Sequence, residues 1–103
     1  MTHDEIAQMG GREVDRRVAE LRGVVPDDAD DRVERAWPTY HRNDAVAAEL
    51  RREMAEGIRP AQLMVLHTAD GDVRVDLGSH GYGDGADEAD ATARAYLYWK
   101  GRQ

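Results

Sequence analysis

The sequence LMVLHTADGDVRVDL, residues 63–77, decides the fold. It begins with a continuous apolar run at residues 63–66, which is typical of a strand covered on both faces. Residues 73–77 alternate apolar and polar side chains, as in a strand with one face in water. The dipeptide Asp70-Gly71 between the two runs favours a tight turn. The pattern predicts an antiparallel hairpin in which residues 63–68 pair with residues 73–77.

Helical patterns lie on both sides of this hairpin. Apolar residues recur at intervals of three and four within residues 12–22, 43–56 and 87–100. Thr2 and Glu5 also form the pattern of a capping box, which predicts a further short helix at the start of the chain. These segments predict helices packed around the two strands.

The predicted fold class is α+β. The elements follow in αα-ββ-α order, with a small antiparallel hairpin sheet flanked by helices in an α/β/α sandwich-like arrangement. A length of 103 residues fits one domain, residues 1–103, because two domains would leave neither with enough core. One hydrophobic core is therefore expected.

Composition excludes several classes of function. Cysteine is absent, which excludes disulfides, thiolate metal sites and a cysteine nucleophile. The formal net charge of −7 opposes attraction to a phosphate backbone, so nucleic acid is not an expected partner. No apolar stretch approaches the roughly 20 residues of a membrane helix. The composition predicts a soluble, cytoplasmic protein without a membrane partner.

Residues 78–85 contain four of the ten glycines and precede the last predicted helix. A glycine-rich loop before a helix can hold a phosphate on its backbone amides. Asp84, Asp87 and Glu88 would repel an anion there, and their spacing matches no EF-hand for a cation. We therefore interpret residues 78–85 as a flexible connection and expect no metal or cofactor, with a small-ligand loop as the alternative.

Three stretches resemble a family of small phage proteins, the phage α-β-α sandwich domain. They are the Gly-Arg-Glu-Val-Asp opening within residues 11–20, the Pro38-Thr39-Tyr40 lead into Asn43, and the Ala-x-x-Arg-Ala pattern at residues 91–95. His41 and Arg42 depart from the family pattern, which has small hydroxyl residues there. The resemblance implies an α-β-α sandwich and a phage origin, and it implies no particular activity.

Candidate binding residues combine aromatic rings with arginine and histidine in predicted connections, a composition that is favoured at interface hot spots. One group precedes the helix at 43–56, where its two aromatic rings could instead pin the start of the helix. The other group lies in the glycine-rich segment. The candidates are Trp37, Tyr40, His41 and Arg42 in the first group, and His80 and Tyr82 in the second.

No catalytic motif is readable, because the four histidines are widely spread and no nucleophile elbow or paired-acid pattern occurs. We therefore expect a noncatalytic phage or prophage accessory protein that binds a host or phage protein or associates with itself. The alternative is a small-ligand or nucleotide-binding module that uses residues 78–85. Two strands leave exposed sheet edges, which also predicts a homodimer.

Overall fold

The predicted hairpin is present. A computed structural model describes residues 2–23, 40–58 and 63–101 of the chain. Strand β1 (Met64–His67) pairs antiparallel with β2 (Val73–Asp76). The amide of Thr68 donates to the carbonyl of Asp72 at 2.8 Å, and Gly71 has a φ of 87°, a left-handed conformation that glycine adopts without strain.

A third strand shows that part of the interpretation of residues 78–85 was wrong. After a single 3₁₀ turn at Gly78–His80, strand β3 (Tyr82–Gly85) pairs antiparallel with β2, which gives the sheet order β1-β2-β3. Glycine has low strand propensity, so the sequence pattern favoured a loop. The glycines form a strand here because they allow close packing against the last helix.

Four helices complete the described part, and the α+β class is confirmed. They are α1 (His3–Gln8), α2 (Gly11–Leu21), α3 (Asp44–Gly57) and α4 (Glu88–Lys100). The hydroxyl of Thr2 accepts from the amide of Glu5, and the side chain of Asn43 caps α3. Each predicted helix therefore begins within about a residue or two of its expected position.

Helix α4 is the central layer. Nine of its thirteen residues are buried, because β2 and β3 pack on one side of it while α2 and α3 pack on the other. Its run of alanines lets the backbones approach closely. A Cβ built on Gly83 would lie 2.1 Å from the backbone nitrogen of Ala95, and one on Gly85 would lie 2.5 Å from that of Ala91. Glycine in the strand and alanine in the helix are therefore complementary.

The outcome for β1 differs from the expectation of a strand covered on both faces. Met64 is 53% exposed and Leu66 is 39% exposed, whereas Val65 packs against the core. This strand lies at the edge of the sheet, and the face that carries Met64 and Leu66 is the face opposite α4. A continuous apolar run therefore forms a strand with one open face. None of the described helices has the length and apolar character needed to span a bilayer.

Candidate interaction surface

One face of the sheet packs on α4, and the side chains on the opposite face do not contribute to that core. Strand register places them in two rows across the three strands, Met64–Asp76–Tyr82 and Leu66–Arg74–Asp84. Residues that are directly opposite in neighbouring antiparallel strands point to the same face. We call this set the outer sheet surface.

One end of the outer sheet surface is apolar. In the described part of the chain, the large hydrophobic side chains that are exposed are Met64 and Leu66. They lie two residues apart on β1, so they point the same way and are adjacent. Single exposed apolar residues are ordinary, but two neighbours on an edge strand form a patch that association would remove from water.

The centre and the far end of the surface are polar and fixed. Arg74 binds Asp84 through two parallel contacts, Nε to Oδ1 at 2.6 Å and Nη2 to Oδ2 at 3.0 Å. The guanidinium carbon also lies 4.2 Å from the centre of the Tyr82 ring. The hydrogen bond to Asp84 raises the pKa of Arg74, which stays charged. Arginine and tyrosine held in place in this way are typical of interface anchors.

Helix α1 covers the edge of the sheet at β3. The His3 ring is stacked between Tyr82 and Tyr98, with ring centres 3.9 Å and 3.7 Å apart and planes within about 11°. The amide of Tyr82 donates to Nε2 of His3 at 3.4 Å, so a backbone group on that edge has a partner. Arg94 holds the other end of α1 by donating to the carbonyls of Ile6 and Met9.

The edge at β1 has no strand beside it in residues 2–23, 40–58 and 63–101. Because the amide of Thr68 bonds to the carbonyl of Asp72, the residue just before β2, the alternation of antiparallel pairing directs the backbone groups of Leu66 and Met64 to β2. The backbone groups of Val65 and His67 therefore point away from the sheet. These donors and acceptors can pair with another strand.

The structure divides the six predicted binding residues between different settings. Tyr40 is buried, and its hydroxyl accepts from Nη1 of Arg22 at 3.4 Å. Arg42 and His80 are exposed, and Tyr82 belongs to the outer sheet surface. Trp37 lies outside the described residues. The fold therefore gives Tyr40 a core position and does not unite the predicted set in one site.

His41, the remaining predicted residue, is paired with Asp15 of α2. Its Nδ1 lies 2.6 Å from Oδ2 of Asp15, and its amide donates to Oδ1 at 3.0 Å. The ring also lies against Gly11, where any Cβ would be 2.5 Å from it. Burial raises the pKa of Asp15 and outweighs the opposing contacts with His41. The pair joins the start of α3 to α2, so His41 has a structural contact within the fold.

Neither of two cavities in the described residues resembles a typical ligand pocket. The cavity beside Tyr82 has a volume of about 110 Å³, which is less than the roughly 300 Å³ of a typical ligand pocket. A larger cleft of about 540 Å³ separates the ends of α2 and α4 from α3. It is lined mainly by charged side chains such as Arg22 and Glu53, which are 3.5 Å apart, whereas ligand pockets are mostly apolar.

Sequence reasoning found one member of the outer sheet surface, Tyr82, and missed the other five. The continuous apolar run predicts a covered strand for Met64 and Leu66, and the alternation predicts only a solvent-facing position for Arg74. The alternation at residues 73–77 did contain the signal, since it marks one face of the hairpin as open.

No family model, curated protein or solved structure matches this chain.

Proposed function

We propose that this chain is a noncatalytic protein-binding module whose outer sheet surface and β1 edge hold the partner. The observation that carries the proposal is the adjacent exposure of Met64 and Leu66 on β1, which has no further strand on its outer side within the described residues. Taking a large apolar side chain from full exposure to full burial yields about 1.5–3 kcal/mol, and since Met64 and Leu66 are already about half covered, we expect about half of that gain from each. The free backbone donors and acceptors of Val65 and His67 would hydrogen-bond to a strand of the partner and so fix its orientation.

The polar part of the surface supports the same function. Arg74 and Tyr82 are already ordered by Asp84 and His3. These two side chains therefore lose little conformational entropy when a partner contacts them. Anchors of this kind, beside an apolar patch, match the anatomy of protein interfaces. The resemblance to the phage domain family adds the proposal of a phage or prophage accessory protein that acts on a host or phage protein in the cytoplasm.

A small-ligand module built on residues 78–85 has less support. Gly83 and Gly85 lie against the backbone of α4, where they serve packing, and their amides belong to a strand. His80 is exposed and apart from that contact. The described geometry therefore favours a partner that meets a surface over a ligand that enters a loop.

The test compares three immobilised proteins: the wild type, Leu66→Glu and Ala48→Glu. Ala48 is exposed on α3, so its substitution adds the same charge away from the sheet. Each is presented with a differently tagged copy of the chain and with a lysate of the encoding organism. A protein retained by the wild type and Ala48→Glu but lost by Leu66→Glu supports the proposal. Equal retention by all three, or none by the wild type, overturns it, provided that the three melt alike.

A further inference from the structure

We infer that the partner of the β1 edge is a second copy of this chain, bound antiparallel about a two-fold axis at Val65, so that two three-stranded sheets become one of six strands. This inference rests on the proposed function and names its partner. Strand β3 cannot make the equivalent contact, because α1 and His3 cover it. Pairing through β1 alone closes after two copies, as a two-fold interface requires.

Side-chain parity limits the register. Directly opposite residues share a face, so a two-fold axis must pass through one residue of β1 and not between two. With the axis at Val65, Val65 faces Val65 of the second copy, and Met64 faces Leu66 of the second copy. The backbone groups of Val65 point to the free edge, so this central pair exchanges two hydrogen bonds. Every exposed apolar side chain of β1 then meets another.

Charge favours this register over its neighbours. In the row of the extended sheet, Arg74 stands beside Leu66, and Asp76 stands beside Met64. An axis at Val65 therefore sets Arg74 of one copy in line with Asp76 of the other. An axis at Leu66 would align arginine with arginine, and an axis at Met64 would align aspartate with aspartate. Of these three registers, only the one centred on Val65 sets opposite charges in line.

The distance between the aligned charges shows how much they contribute beside the apolar contact and the backbone pairing. The aligned charges are separated by three strand spacings, about 14 Å, which exceeds the screening length of about 8 Å at physiological salt. Apolar contact and backbone pairing thus hold the copies together and set the register, and the charges, with Arg74 already paired to Asp84, add only a slight preference for it. Strand β1 itself carries no charged Asp, Glu, Lys or Arg, although each copy has a net charge of −7. We therefore expect association to strengthen as salt screens the repulsion between copies.

Cysteine cross-linking reads the register directly, because the natural sequence has no cysteine. The variants are Met64→Cys and Leu66→Cys, both at exposed positions, each oxidised alone and as an equimolar mixture. Residues that face each other without backbone bonds have Cα atoms about 4.5 Å apart, within disulfide range. Diagonal residues are about 7–8 Å apart, beyond that range. We expect a disulfide dimer from the mixture and little from either variant alone.

Each other outcome has a definite meaning. A dimer from Met64→Cys alone or from Leu66→Cys alone places the axis at that residue and overturns the register. No cross-link, together with a sedimentation mass of one 11.5 kDa chain at high concentration, overturns self-association. In that case the capture experiment still decides the proposed function, because Leu66→Glu would lose a different protein. If Leu66→Glu still retains both the second copy and every other captured protein, self-association through β1 and the proposed function are both overturned.

Discussion

Gly83 and Ala95 lie so close that a single added methyl group cannot fit between them. A Cβ on Gly83 would be 2.1 Å from the nitrogen of Ala95 and 2.6 Å from the carbonyl oxygen of Ala91. Both obstacles are backbone atoms of α4, which cannot rotate away. This contact fixes β3 on the central helix and so sets the orientation of Tyr82 on the opposite face.

Substitution of Gly83 by alanine should therefore destabilise the protein strongly. Overpacking usually costs about 1–3 kcal/mol, and we expect at least about 2 kcal/mol here because neither side can yield. Gly10→Ala adds the same methyl group where nothing lies within 4 Å, so it should cost about 1 kcal/mol or less. Urea unfolding measures both. Equal losses for the two variants would contradict the packing account.

Substitution of Arg94 should loosen the packing of α1 more than that of the other described helices. Arg94 binds Asp90 through Nε at 2.9 Å and donates to two carbonyls of α1. Arg94→Met leaves Asp90 without its ion pair and removes one donor from each of those two carbonyls, which should cost about 3–5 kcal/mol. Amide exchange should rise first in α1. Arg74→Met, which removes a half-exposed ion pair, should cost about 1 kcal/mol or less.

The burial of the Asp15 carboxyl predicts a specific dependence of stability on pH. Burial raises the pKa of Asp15 above 3.8, so the folded state binds that proton more readily than the unfolded state. The contribution of Asp15 is then greatest at low pH and declines as pH rises through the raised pKa. We expect the free energy of unfolding of the wild type minus that of Asp15→Asn to fall as the pH rises from about 3.8 through the raised pKa of Asp15. A difference that rises with pH would reverse the assigned direction.

Removal of the Tyr96 hydroxyl should not destabilise the protein, in contrast to the substitutions of Gly83 and Arg94. This hydroxyl is buried without a hydrogen-bond partner in the described part, although Glu53 lies near, and burial and that carboxylate raise the pKa of Tyr96. Tyr96→Phe should therefore leave thermal stability unchanged or raise it by up to about 1 kcal/mol. Tyr40→Phe removes an oxygen that accepts from Arg22 and should lower stability by about 0.5–1.5 kcal/mol.

The hairpin and the helices could be predicted because their signals are local. The alternation at residues 73–77 and the caps at Thr2 and Asn43 each lie within a few residues of the element that they define. Strand β3 could not be predicted in the same way, since its glycines become favourable only beside the alanines of α4. The spacing of Gly83 and Gly85 on one strand face was a usable signal for that contact.

The candidate site was harder to predict, because it depends on which face of the sheet remains open. Periodicity does not separate a covered strand from an edge strand when all of its residues are apolar, as at Met64 and Leu66. The pairing of His41 with Asp15 joins residues 26 positions apart, and no local pattern reports such a contact. Tyr82 was identified from its chemistry alone, without the neighbours that order it.

Amide exchange at β1 tests the central claim most directly. The amides of Val65 and His67 point to the free edge, whereas that of Leu66 is directed to β2. When the protein is concentrated, or saturated with a captured partner, exchange at Val65 and His67 should slow at least about tenfold, equivalent to about 1.4 kcal/mol of protection. Leu66 and the exposed residues of α3 should change less. If Val65 and His67 exchange at the same rate whether bound or free, while protection appears elsewhere, the β1 edge is not the interaction surface.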